Sequence, residues 1–435
     1  MAGNAISNGN VSRLISDIKI PDFYLIRQKF DATHIEDIEE AVAEAVKRPG
    51  ALDLIRKDQK VAIAVGSRGI NNIALIVRSL AALIKKAGAA PFIIPAMGSH
   101  GGATAGGQER LLADYGVTEQ NTGCPVISDM TTVKLGRTDG GVDVFFDKRA
   151  YDADAVILLN RIKPHTDFRG PYESGLAKQI VIGLGKQNGA EACHSQKVED
   201  MSINIGEAAR LALLRTNILF GLGIIENAYD QTMMLSALPN ANLLEEEPML
   251  LEHAKRHMPS ILINPIDVLV IDEIGKNISG SGMDPNISGR FATDCATGGV
   301  DAQRCVILDV TEQSHGNAIG LGLADFSVKR AFDKFDFEMV YPNVLTNALP
   351  ESGKLPVILA NDLLALRAAI QTCRLIDRGN PAVVRIKNTL RMEYMYVSEA
   401  LLERARGHGA IDVLEGPVSF KFDKDGNIDF DIWDM

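Results

Sequence analysis

From residue 60 onward, short apolar runs alternate with longer stretches in which apolar residues recur every three or four positions, the pattern of parallel βα units. The segment 60–67, KVAIAVGS, reads as a strand, and 71–88 as a helix that Gly88 closes. A strand at 90–97 and a helix at 106–116 repeat the pair. A third buried strand at 154–162 leads into a polar, glycine-rich passage that runs to about residue 198. A second series begins near Asn264, with strands at 266–275, 303–311 and 355–361 and helices at 324–335 and 361–373. Between the two series lies a helix at 241–258, followed by a short connector bracketed by Pro259 and Pro265. The pattern predicts two α/β domains with mainly parallel sheets, spanning 1–262 and 263–435. The closing segment SFKFDKDGNIDFDIWD has an Asp-Gly pair between alternating segments, a hairpin signal. Glycine-bearing loops follow the carboxyl ends of the predicted strands, where open α/β sheets bind ligands.

Composition narrows the partners. The chain has 435 residues, 46% of them hydrophobic, and a formal net charge of −11. This acidity argues against a nucleic-acid partner, because phosphate recognition leaves a basic face. No segment is apolar for long enough to read as a signal peptide or membrane span, so a cytoplasmic protein with no membrane partner is expected. The five cysteines are scattered and include no C-x-x-C pair, which suggests buried thiols in place of a disulfide framework or a structural zinc site.

Four of the eight histidines, His100, His165, His194 and His315, fall in polar or glycine-rich loops after predicted strands. The densest stretch runs from Asn160 to Ser195 and combines Arg161, Lys163, His165, Asp167, Arg169, Glu173, Lys178, Lys186 and His194. Ionisable groups concentrated behind a buried strand need solvent, one another or a ligand. Familiar motifs are excluded: GLGK at 183–186 lacks the Walker A spacing, no G-x-G-x-x-G follows the first strand, and GSHGG has a histidine where a nucleophile elbow has serine. What remains is a site of histidines and lysines. Two histidines could serve as acid and base on opposite faces of one carbon, a third could ligate a borderline metal, and a lysine could bind a carboxylate or form a covalent link.

The order Arg68 in GSRG, His100 in GSHGG, His165 in KPHTDFRG, Lys178 in SGLAK and His194 in EACHS resembles the nickel-dependent lactate racemase family. The resemblance implies an active site in the cleft between two α/β domains and a nickel-pincer nucleotide as cofactor. It implies that Lys178 links covalently to that cofactor beside Ser174 and Gly175, that His194 ligates nickel, and that His100 and His165 are paired acid and base. Arg68 would hold the carboxylate of a small-molecule 2-hydroxy acid, and the enzymes that build the cofactor would be partners. The implied reaction is racemisation or epimerisation at C2 through a 2-oxo acid. Net oxidoreduction with the same cofactor, or inert carriage of it, are the alternatives. The chain departs from the family pattern at Leu176, which stands where the lysine motif has a second glycine. It departs again at 282–290, GMDPNISGR, which replaces a segment bearing a second-domain lysine, with Arg290 as the expected substitute. In TEQSHGNAIGLGLADF, 311–326, His315 and Asn317 are expected to read the distal end of a substrate larger or more polar than lactate.

Overall fold

The first strand, β1 (Phe23–Gln28), does not join the elements that follow it in sequence. It runs antiparallel to two strands near the carboxyl terminus, pairing Leu25 with Tyr396 on one side and Arg27 with Asp412 on the other. Phe23, Leu25 and Ile26 are almost fully buried there. In the computed structural model, which describes residues 9–48, 50–66, 69–428 and 433, the chain accordingly divides into two units. One spans Asp31–Met258, and the other joins the chain up to Phe30 to Pro259–Met435. The break after Met258 lies at the connector, but the segment through Phe30 belongs with the carboxyl-terminal unit and not with the domain expected at 1–262. Strand pairing over hundreds of residues leaves no local trace in the sequence.

The unit Asp31–Met258 contains β2 (Lys60–Val65), β3 (Ala90–Pro95), β4 (Thr132–Arg137), β5 (Asp143–Asp147), β6 (Ala155–Arg161), β7 (Ile218–Glu226) and β8 (Thr232–Pro239). Five of these form one sheet in the order β3-β2-β6-β7-β8, parallel except for the last pair, while β4 and β5 form a separate antiparallel ribbon. Val61 to Val65 have no exposed surface, as expected of a parallel strand covered on both faces. The helix Ile73–Lys86 buries Ile73, Ile76, Val77, Leu80 and Ile84 along one stripe and ends in Lys85 and Lys86, which complement the negative end of its dipole.

The other unit is built on an eight-stranded sheet. Its members after β1 are β9 (Ile266–Ile271), β10 (Ala302–Ile307), β11 (Phe326–Val328), β12 (Val357–Leu359), β13 (Val383–Ile386), β14 (Tyr394–Ser398) and β15 (Ile411–Val418). The order is β12-β11-β10-β9-β13-β14-β1-β15, with β12 through β13 parallel and the remaining pairs antiparallel. The helix expected over 324–335 is cut short because Phe326–Val328 is drawn into the sheet beside Val306 and Ile307, leaving a helix only over Lys329–Asp333. In the closing segment Phe422 bridges Ile428 antiparallel around a left-handed Gly426, and most of the second arm lies outside the described residues. Among the described residues no helix is long and apolar enough to cross a membrane.

Candidate functional site

In the unit Asp31–Met258, β2 has β3 on one side and β6 on the other. The chain leaves β2 toward β3 and later returns to the opposite flank, so the loops after these strands open a crevice at the carboxyl edge, the usual ligand position of an open α/β sheet. The loop after β3 carries His100, the loop after β6 carries His165, and Arg68 in the loop after β2 lies outside the described residues. Glu226, at the end of β7, pairs with Arg161 at the end of β6 and accepts from the Asn71 amide at 2.7 Å, which ties the β2 loop to the same edge. Burial raises the Glu226 carboxyl above its ordinary value, with Arg161 opposing the shift.

His100 is exposed at the tip of its loop. The neighbouring glycines do not all provide clearance for a ligand. Gly101 is left-handed at φ +66°, and a Cβ there would meet the Gly107 carbonyl carbon at 2.6 Å, so this glycine permits the loop to lie against the helix Ala105–Asp114. Only Gly102 of the pair faces open space.

His165 and Lys178 meet. Lys178 Nζ lies 2.6 Å from His165 Nε2, and the imidazole stacks on Phe168 with ring centroids 4.2 Å apart. His165 Nδ1 accepts the Asp167 amide at 3.1 Å. Which of Lys178 Nζ and His165 Nε2 donates follows from the imidazole tautomer, and in either form the two nitrogens share one hydrogen bond. The 165–173 loop closes around Glu173, which is 1% exposed: Oε2 accepts the His165 amide at 2.8 Å, and Oε1 pairs with Lys255 at 2.9 Å. Ser174 exchanges backbone hydrogen bonds with Lys163 at 2.8 and 3.1 Å, which brings the start of the lysine motif back beside β6.

Two buried side chains then seat Lys178. Gln179 donates to the carbonyls of Ala64 in β2 and Leu159 in β6 at 3.0 and 2.9 Å, docking the lysine's helical turn directly on the switch point. From the helix Leu243–His257, Glu247 accepts the Ala177 amide at 2.8 Å, and burial pushes its carboxyl up to about 7. Gly175 is required by this contact, since a Cβ there would stand 2.0 Å from Glu247 Oε1. Residues Gln179–Gly183 continue as a π-helical turn, a feature found often at functional sites.

His194 ends the helix Lys186–His194. Its imidazole pKa is lowered first by burial and second by the charge of Lys178, so the direction stands whichever proton form the lysine takes. A neutral imidazole is the form that ligates a metal. Burial pushes the thiol of the adjacent Cys193 up to about 12. Among the described residues no group of three His, Cys, Asp or Glu side chains could hold a metal ion. Lys178 and the imidazole of His194 fit a metal-bearing cofactor that is anchored by an amine and brings donors of its own.

The candidates in the carboxyl-terminal unit do not converge. Arg290 donates to the carbonyl of Ala302, the first residue of β10, at 2.9 Å and pairs with Asp325, just before β11, at 3.0 Å. It thus lies at the amino edge of the sheet, whereas His315 follows the carboxyl end of β10; by Arg290 the connection from β9 has already crossed the sheet. Asn317 is 8% exposed and spends its amide on the Met339 carbonyl at 3.0 Å, so it braces the helix Phe337–Asn347. Neither Arg290 nor Asn317 is placed to read a ligand with His315. His315 itself is exposed on a left-handed turn at φ +47°. The carboxyl edge instead carries Lys276, absent from the sequence reading, whose amide donates to Ser314 Oγ at 2.9 Å.

Residues 15–206 match the lactate racemase N-terminal domain family, a span that includes His100, His165, Lys178 and His194. Comparison with curated protein sequences gives no match. Among solved structures, the lactate racemase apoprotein from Thermoanaerobacterium thermosaccharolyticum is similar, with a TM-score of 0.46 and 15% identity over 66% of this chain and 74% of that one. A Thermotoga maritima protein gives a TM-score of 0.48 and 13% identity over 73% of this chain and 81% of its own.

Proposed function

We propose, from the match of residues 15–206 to the lactate racemase N-terminal domain family, that the protein inverts C2 of a 2-hydroxy acid with a nickel-pincer nucleotide held by Lys178. The observation that carries the reading is the Lys178–His165 pair at 2.6 Å on the switch point of the sheet. It sets a lysine amine and a histidine capable of acid–base work side by side. Lys178 would bind the cofactor through an amide-type bond at Nζ, and His194 would supply its neutral imidazole to the nickel. When bound, the cofactor would take hydride from substrate C2 and return it.

The chain's own residues then handle the proton and the orientation. Imidazole is too weak a base for a C2 hydrogen beside a carboxylate, but it suffices for the hydroxyl proton that leaves as hydride departs. His165, gripped by the Asp167 amide and Phe168, would take that proton for one enantiomer and His100 for the other. Arg68 would hold the carboxylate, for which a guanidinium fork is suited. The oxidised substrate is planar at C2, so return of hydride to the opposite face inverts the centre.

The test is to express the chain together with the cofactor-making enzymes and nickel, then to follow a panel of enantiopure 2-hydroxy acids by chiral chromatography. Inversion of at least one acid is expected, with loss in His100→Ala and His165→Ala. A chain that carries the cofactor and inverts none of the panel would overturn the reading.

A further inference from the structure

Lys186 is a lysine with no exposed surface that the proposed chemistry does not use. It opens the helix leading to His194 in a left-handed backbone conformation, φ +54°, which a non-glycine residue adopts only when its surroundings hold it there. Its Nζ donates to the Pro95 carbonyl at 2.5 Å and to Gln108 Oε1 at 3.2 Å, and stands 3.0 Å from Asp147 Oδ2. These partners come from the end of β3, the helix Ala105–Asp114 and the end of β5. Burial lowers the ammonium's pKa while Asp147 opposes the shift. A methionine would fill the same space without that desolvation, so what the ammonium adds is its contacts.

Gln108, also without exposed surface, passes the contact on. Its Nε2 donates to the carbonyls of Gly98 at 2.8 Å and His100 at 3.3 Å. A primary amide has one acceptor and one donor end. With Oε1 taken by Lys186, the donor end faces the 98–100 loop, and turning the amide over would set its NH2 against the ammonium and its oxygen against two carbonyls. The same loop is pinned from below where the Gly98 amide donates to Gly183 at 3.1 Å.

We propose that Lys186 is a positioning residue: through the fixed amide of Gln108 it sets the loop that carries His100 in register with the segment that carries Lys178 and His194. One lysine thereby ties the two halves of the site together from inside the fold. The consequence for turnover rests on the reading of His100 as an acid–base residue; the consequence for the loop does not.

Lys186→Met and Gln108→Leu test it, singly and together, in the cofactor-loaded chain. Gln108→Leu keeps the Lys186–Asp147 pair and so guards against a variant that merely fails to fold. Hydrogen exchange at 98–104 is expected to rise about tenfold in both single variants, with β6 unchanged and the mass of the Lys178 adduct intact. Because a misplaced catalytic group of about 1 Å can cost about 100-fold, kcat should fall by roughly that factor, with KM nearly constant, and the double variant should be no worse than the worse single one. Unchanged exchange at 98–104, or a uniform rise across the whole unit, overturns the proposal. If exchange rises as expected and His100→Ala retains turnover, the assignment of His100 fails while the role of Lys186 in the loop stands.

Discussion

After β6 the chain gathers His165, Glu173 and Lys178 into one hydrogen-bonded cluster. After β10 it leaves His315 exposed, turns Asn317 inward to Met339, and has already placed Arg290 beside Asp325 at the opposite edge of the sheet. Both loops are rich in polar residues and glycine, and both follow buried parallel strands. What separates them is anchorage. In the first unit the segment after β6 returns to the sheet twice, through the Ser174–Lys163 bridge and through Gln179 on β2 and β6. In the second, Thr311 bonds to Ser314 within the loop and to Asn277 in the connection after β9. Composition marks a loop as a candidate, but only its points of attachment decide whether its side chains meet.

This contrast can be broken most directly by substitutions that differ only in the unit they strike. Turnover of the loaded enzyme should fall by about 10²–10⁴-fold in His165→Ala, the range for loss of a general acid or base. It should stay within about threefold in Arg290→Ala, because Arg290 lies away from the carboxyl edge. Comparable losses in steady-state assays of the two would erase the distinction.

Stability against pH sharpens it next. Glu247 keeps its proton up to about pH 7 in the folded chain, against an ordinary value of 4.5. Its protonated form is favoured by folding, so its contribution is complete below pH 4.5 and is lost as the pH rises through about 7. Across that window the unfolding free energy should fall by roughly 3 kcal/mol from this group, and Glu247→Gln should flatten the slope. Urea titrations at a series of pH values measure both; an equal slope in the variant would remove Glu247 as the buried acid beneath the lysine turn.

Gly175→Ala places a methyl group against Glu247 and should cost about 2 kcal/mol in the same titrations, with loss of cofactor loading. Asn317→Ala should cost about 1 kcal/mol by removing its hydrogen bond to the Met339 carbonyl, with cofactor loading unchanged. If loading responds to Asn317 and not to Gly175, the two loops have been ranked in the wrong order.

Much of this was legible along the chain. Strands and helices at 60–116 follow from periodicity within a few residues, and the lysine and histidine motifs pointed to the cluster around β6. The place of β1 was not, because its partners Tyr396 and Asp412 lie at the other end of the sequence. Glu247 was hidden among three successive glutamates, yet it shares a face with Leu243, Leu251 and Ala254, all buried, and that spacing was the available signal. Glu173 stood out only as one of the ionisable groups after β6, and Gln179 gave no signal, because an amide that bonds to backbone carries no periodicity of its own. Arg290 was expected from the resemblance alone, as the substitute for a second-domain lysine, and its pairing with Asp325 ahead of β11 has no local signal in the sequence.

The central claim is that the segment docked on the switch point of the first sheet, with Lys178 at its head, holds the cofactor. Peptide mapping by mass spectrometry of the chain purified from cells that make the cofactor tests it most directly. The account predicts a covalent adduct on Lys178 that disappears in Lys178→Ala and persists in His165→Ala. An adduct on any other residue, or a loaded and active Lys178→Ala chain, would contradict it.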